Sequence, residues 1–169
     1  MLHETDPVHC DATCIGIRRA ETADIPALLA IEERSFATDR MTQRNFRYAI
    51  RKAKGVVLAA YRQGQNLERT PIAYGVVGFH AGTRFARLTS FAVAPGARGL
   101  GIGRRLLAAL EEAAAVHGCS GMRLEVRADN AAAIALYTTA GYRSFAVHPG
   151  YYEDDMAALR LEKPLLPKD

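Results

Sequence analysis

Apolar residues along this chain follow two rhythms, and the balance between them shifts partway along. The first half is dominated by short apolar runs: CIGIRRA (Cys14–Ala20), VVLAAY (Val56–Tyr61), PIAYGVVGFH (Pro71–His80) and RLTSFAVA (Arg87–Ala94). Runs of this length, bounded by polar or turn-forming residues, predict strands. The polar stretch Arg62–Thr70 reads as a hairpin-type loop between two of them. Two helices interrupt the series. Asp24 is a suitable N-cap, Pro26 falls in the first turn, and Ile25, Leu28 and Leu29 follow at helical spacing. A second helix is predicted from about Thr42 to Ala53, with Phe46 and Ile50 four apart and Gly55 ending it.

Helical spacing returns strongly in the second half. Leu106, Leu107, Leu110, Ala113 and Ala114 share one face, and Gly118 follows as a C′ stop. Met122–Arg127 (MRLEVR) alternates cleanly as a strand, Asn130 caps the helical AAAIALYTTA, and Gly141 ends it. Tyr142–Pro149 and Asp154–Lys163 predict two closing strands. A series of strands followed by strand–helix–strand–helix–strand implies one α/β domain, with a mixed sheet of the α+β kind and helices on both faces. The expected organisation is a loose N-terminal extension (1–14), the domain itself (15–163) and a short C-terminal tail (164–169).

Composition narrows the class. With 169 residues, 49% hydrophobic and 24% charged, the chain is globular and long enough to bury a core. A net charge of +4 favours acidic ligands such as phosphates. The arginines are dispersed, so no nucleic-acid partner is expected. No apolar run approaches a membrane span, and MLHETDPVHCDATC lacks the basic start and apolar stretch of a signal peptide. A cytoplasmic location is the expectation. An odd set of cysteines (Cys10, Cys14, Cys119) predicts free thiols. His9, Cys10 and Cys14 lack a second ligand pair at zinc-like spacing, so no metal is expected. Cys119, after a helix end, is expected to be a small buried hydrophobe.

The candidate chemistry starts at PGARGLGIGRR (Pro95–Arg105), between a predicted buried strand and a predicted helix. Missing Cβ atoms let a ligand approach the main chain, and free N–H groups at a helix start attract anions. Arg98 and Arg104 can add charge-assisted bonds. A P-loop fails here because no lysine follows the glycines. The dinucleotide pattern G-x-G-x-x-G fails because Arg104 stands where its last glycine belongs. The spacing [QR]-x-x-G-x-[GA] fits Arg98, Gly101 and Gly103.

That spacing resembles the acetyl-CoA pyrophosphate motif of the GNAT acetyltransferases. The resemblance extends from about residue 15 to 163. LEVRADNAAAIALYTTAGYRSF (Leu124–Phe145) is similar to the RimI-type ribosomal-protein alanine N-acetyltransferases, as are IRRAETADIPALLAIEERSF (Ile17–Phe36) and YYEDDMAALRLEK (Tyr151–Lys163). It implies a GNAT fold, acetyl-CoA as co-substrate, and an acyltransferase acting on an amine, foremost a protein or peptide N-terminus. Alternative acceptors are a small amine, an amino acid or a lysine side chain. A catalytically silent acyl-CoA-binding module is a third reading. The protein is expected as a monomer or homodimer.

Acetyl transfer to an amine needs a proton acceptor for the ammonium and a proton donor for the departing thiolate. By spacing alone, Glu125 is either a solvated strand glutamate between Arg123 and Arg127 or a base in a site. Tyr137, one turn from Ala133, is either a core tyrosine or an acid. The resemblance implies that Glu125 is the general base and Tyr137 the general acid. It further implies that the backbone of Phe91, Ala92 and Val93 pairs with the pantetheine amides, and that Arg98, Gly99, Leu100, Gly101, Ile102, Gly103 and Arg104 hold the pyrophosphate. The resemblance also implies that Asn130 contacts the pantetheine arm as well as capping its helix, and it makes Tyr151, Tyr152, Glu153 and Asp154 candidates for acceptor contact. Two departures stand out: Val93-Ala94-Pro95 replaces the family's V-D-P, and Ala37–Phe46 lacks the tryptophan common in relatives.

Overall fold

The computed structural model describes residues 14–51, 54–63 and 69–166. The expected extension, including His9 and Cys10, lies outside the described residues except for Cys14, as do 167–169 of the expected tail.

In chain order the elements are β1 (Ile15–Arg19), α1 (Ile25–Ser35), α2 (Gln43–Arg51), β2 (Gly55–Arg62), β3 (Pro71–Gly78) and β4 (Phe85–Val93). They continue with α3 (Ile102–Val116), β5 (Gly121–Arg127), α4 (Ala131–Thr139), β6 (Arg143–His148) and β7 (Ala158–Pro164). The strands form one seven-stranded sheet in the order β1-β2-β3-β4-β5-β7-β6. Every neighbouring pair is antiparallel except β4 with β5. The one parallel pair is joined through α3, the kind of helical crossover that parallel neighbours require.

Side-chain alternation on β2 and β3 splits the core in two. Val56, Ala60, Ala73 and Val77 join Leu106, Leu107 and Leu110 of α3 on one face, with Tyr137 of α4 in the same cluster. Val57, Ala59, Tyr74 and Val76 join Leu28 of α1 and Phe46 of α2 on the other. Helices therefore cover both faces. Fully burying each such leucine or phenylalanine stabilises the fold by about 1.5–3 kcal/mol.

Several predicted boundaries move. Asp24 precedes α1 but makes no side-chain cap to it. Its carboxylate instead accepts the Glu21 N–H at 2.7 Å and a two-pronged bond from Arg18 at 2.7 and 2.8 Å. A guanidinium that matches both oxygens outcompetes a single backbone N–H. Gly55, expected to end the second helix, is the first residue of β2; α2 is described as far as Arg51, and its expected end at Ala53 lies outside the described residues. The strand expected from Asp154 begins only at Ala158. Before it, a turn with Asp155 at φ +68° and an Asp155 N–H bond to the Tyr152 carbonyl occupies the chain. At its far end β7 takes in Pro164, the first residue of the expected tail. Other stops fall as read: Gly118 and Gly141 follow α3 and α4 at φ +99° and +103°, and Cys119 is buried.

One irregularity is invisible to pattern reading. In β4, Val76 pairs with Ser90 while the next residue, Val77, pairs with Leu88, so Thr89 is an extra residue on β4. This bulge reverses the parity of the strand. Ala86 and Leu88 face α3, whereas Ala92 lies with the α1/α2 cluster.

Candidate active site

Strands β4 and β5 are paired only from Phe85–Gly121 to Leu88–Leu124. Past that point they separate, while β4 keeps β3 as far as Val93 and β5 keeps β7 as far as Arg127. Among the described residues, the main-chain groups facing each other across the split have no strand partner. A cavity of about 490 Å³ occupies the opening, with Phe91, Glu125, Asn130, Tyr137 and Tyr152 in its wall.

Glu125 sits where alternation put it, opposite Leu124 and Val126, which are buried. It is not a solvated glutamate, because its side chain is only 11% exposed. Arg87 of β4 holds Oε2 at 3.0 Å and Arg160 of β7 reaches Oε1 at 3.5 Å. Arg87 also donates to the Tyr151 hydroxyl at 3.2 Å, so Tyr151 braces the arginine beside Glu125. Tyr151 is not in the cavity wall; Tyr152 is. The Tyr152 ring lies edge-on to Tyr151 at 4.9 Å and under Arg127 at 5.0 Å. Half-burial, with Tyr151 nearby, pushes its phenol up to about 12.

Tyr137 approaches from the other face of the sheet. Its residue is only 6% exposed, wedged edge-on between Phe91 and Tyr142 at 6.2 and 5.7 Å. Burial, reinforced by Tyr152, raises its phenol pKa, so the hydroxyl holds its proton across the physiological range. Among the described residues it has no hydrogen-bond partner, yet it borders the cavity. Asn130 caps α4 as predicted, its side chain accepting the Ala133 N–H at 3.1 Å.

The glycine loop lies at the start of α3, outside this cavity wall. Gly99 and Gly101 adopt φ +82° and +76°, and a Cβ on either would point into open space. Gly101 stands at the N-cap of α3 without a capping side chain. The first helical N–H groups are thus left for an external acceptor, and their dipole favours an anion. Arg98 folds back, Nε donating to the Val93 carbonyl at 3.0 Å, so that carbonyl is already engaged. Of the three β4 residues singled out, Phe91 borders the cavity and Ala92 is buried beneath the α1/α2 layer. The open strand edge, the Cβ-free turn and the uncapped helix start suit a phosphate-bearing, amide-containing ligand such as acetyl-CoA.

Sequence reading missed Glu32. It belongs to α1, is 2% exposed, and shares the cavity wall. The signal was present: Glu32 lies one turn after Leu28 and two after Ile25, an acid on the helix's apolar stripe.

Residues 23–142 match the family described as Acetyltransferase (GNAT) family, and the chain belongs to it. It is an acyltransferase of the N-acetyltransferase kind. The chain is 32% identical over 136 residues to the [ribosomal protein bS18]-alanine N-acetyltransferase of Escherichia coli (strain K12), covering 80% of this chain and 86% of that one. The crystal structure of the ribosomal-protein-S18-alanine N-acetyltransferase from Escherichia coli superposes with a TM-score of 0.77 at 28% identity, covering 92% and 96% of the two chains. A further match, 40% identical over 84 residues, is to an uncharacterized protein of Mycobacterium leprae (strain TN), of which this chain spans 23%.

Proposed function

We propose that the protein transfers the acetyl group of acetyl-CoA directly to the N-terminal α-amino group of a protein, with Glu125 as general base and Tyr137 as general acid. The observation that carries this reading is the meeting of these two side chains at one cavity from opposite faces of the split sheet. A relative named for alanine N-acetylation of a ribosomal protein supports the choice of acceptor.

Acetyl-CoA supplies the activated acetyl thioester. Arg98 and the main chain of Gly99, Leu100, Gly101, Ile102, Gly103 and Arg104 hold its pyrophosphate, and the free edge of β4 at Phe91 pairs with its pantetheine amides beside Asn130. Glu125, fixed by Arg87 and Arg160, accepts the ammonium proton and leaves the amine able to attack. Tyr137, kept protonated by burial, gives its hydroxyl proton to the departing thiolate. It has no hydrogen-bond partner among the described residues, which leaves that proton available. Tyr152, in the cavity wall, is the candidate contact for the first residues of the acceptor.

A second reading keeps the chemistry and exchanges the acceptor for a small amine. The segment Ala37–Phe46, of which Ala37, Thr38, Asp39 and Met41 border the cavity, favours it by lacking the tryptophan common in relatives. Thiol release measured over a panel of peptides beginning with Ala or Ser, polyamines and aminoglycosides separates the two. Turnover on peptides is expected. Turnover on small amines alone would replace the acceptor, and no turnover on any amine would leave only a binding module.

A further inference from the structure

The proposed chemistry leaves a second carboxylate at the cavity unused. Glu32 Oε1 accepts hydrogen bonds from the hydroxyls of Tyr74 and Ser90, the latter at 2.9 Å. Among the described residues, Oε2 takes only a 3.4 Å contact from the Met41 N–H. Among the described residues no lysine, arginine or histidine forms an ion pair with it. Tyr74 is itself buried next to this charge, and both effects raise its phenol pKa and keep it a donor.

Such an arrangement is unusual. A buried carboxylate is normally matched by a cation, because neutral donors offset only part of its lost hydration. Glu125 follows that rule, with a guanidinium at each oxygen. Glu32 does not, and it borders the cavity that takes the amine. The bulge at Thr89 is what turns Ser90 toward α1; regular alternation would have put Ser90 on the α3 side with Leu88. The cation that Glu32 lacks is one that an acceptor amine brings with it.

Resting on the reading of this cavity as an amine-acetylating site, we propose that Glu32 is the counter-ion of the acceptor. Its Oε2 accepts a hydrogen bond from the acceptor's ammonium group and holds it at the α1 wall until Glu125 takes the proton. Glu32 therefore sets the preference for a charged amine, while Glu125 serves the chemistry.

Equilibrium binding to the CoA-loaded protein tests this without turnover. The probes are an Ala-initiated peptide, its des-amino analogue and spermidine. The wild-type protein is expected to bind the amine peptide about tenfold or more tightly over the des-amino one, the range of a hydrogen bond to a charged group. Glu32→Gln should erase the preference, with CoA affinity and melting temperature as folding controls. Glu125→Gln should retain it. Tyr74→Phe separates a counter-ion from a mere packing role, because it removes a neutral donor but leaves the charge and so keeps the preference. Equal binding of the two peptides by the wild type, or a preference that survives Glu32→Gln, would overturn the proposal. Spermidine binding that weakens in Glu32→Gln, with no peptide binding, would support the role of Glu32 and refute the peptide acceptor instead.

Discussion

Glu125 and Glu32 border the same cavity, but the protein holds them in opposite ways. Glu125 extends from a strand and has arginines from both neighbouring strands on its two oxygens. Glu32 extends from a helix and is met by hydroxyls and one backbone N–H. One charge is balanced by the protein itself, and the other is left to be balanced from outside. Identical side chains thus meet different partners according to which element carries them and what the adjacent strands supply.

The sharpest way to break this comparison is to remove the two proposed proton-transfer groups. Glu125→Gln and Tyr137→Phe should each lower kcat by roughly 10²–10⁴-fold, the usual contribution of a positioned acid or base. Titration with acetyl-CoA should show nearly unchanged affinity; lost affinity with an intact kcat would mean that these residues bind and do not catalyse. Next in size is the neutral cage of Glu32. Ser90→Ala should cost about 1–3 kcal/mol of stability, because the buried Glu32 carboxylate loses one of its two hydroxyl donors. Denaturant unfolding would measure it. The corresponding cut on the other wall, Arg160→Met, should cost no more than about 1 kcal/mol, since Arg160 is partly exposed and its pairing is screened. Equal costs on the two walls would erase the contrast.

The smallest effect belongs to a carboxylate outside the cavity wall. Asp24→Asn should leave kcat unchanged and reduce stability by about 1 kcal/mol through loss of its bond to Arg18. That hydrogen bond holds the Asp24 carboxyl below its ordinary value of 3.8. A depressed pKa means that the folded state prefers the charged form, so the stabilisation is present above the ordinary value. It is lost as pH falls through the lower folded value. Acid unfolding of the wild type and the variant should therefore converge below that window.

Local chemistry was the most legible part of the chain. Asn130, Gly118 and Gly141 were readable as caps and stops because each acts on backbone groups only a few residues away. The glycine loop was readable for the same reason, its positive φ values and uncapped helix start being properties of a short segment. Glu125 and Tyr137 were legible as a pair only through a long family resemblance, since spacing alone allowed a solvated glutamate and a core tyrosine. Asp24 was misread because Arg18, which claims it, reaches it from the end of β1. Glu32 was passed over because its partners Tyr74 and Ser90 lie 42 and 58 residues away.

By itself the sequence determined the order of elements, the two-sided core and the anion-ready turn, because periodicity, caps and glycine act over short range. Only the tertiary structure decided where β4 and β5 part, that Thr89 bulges, and which carboxylate receives arginines and which is left with hydroxyls. Those outcomes depend on strand register and on side chains distant in sequence. Register is settled by the whole sheet packing at once.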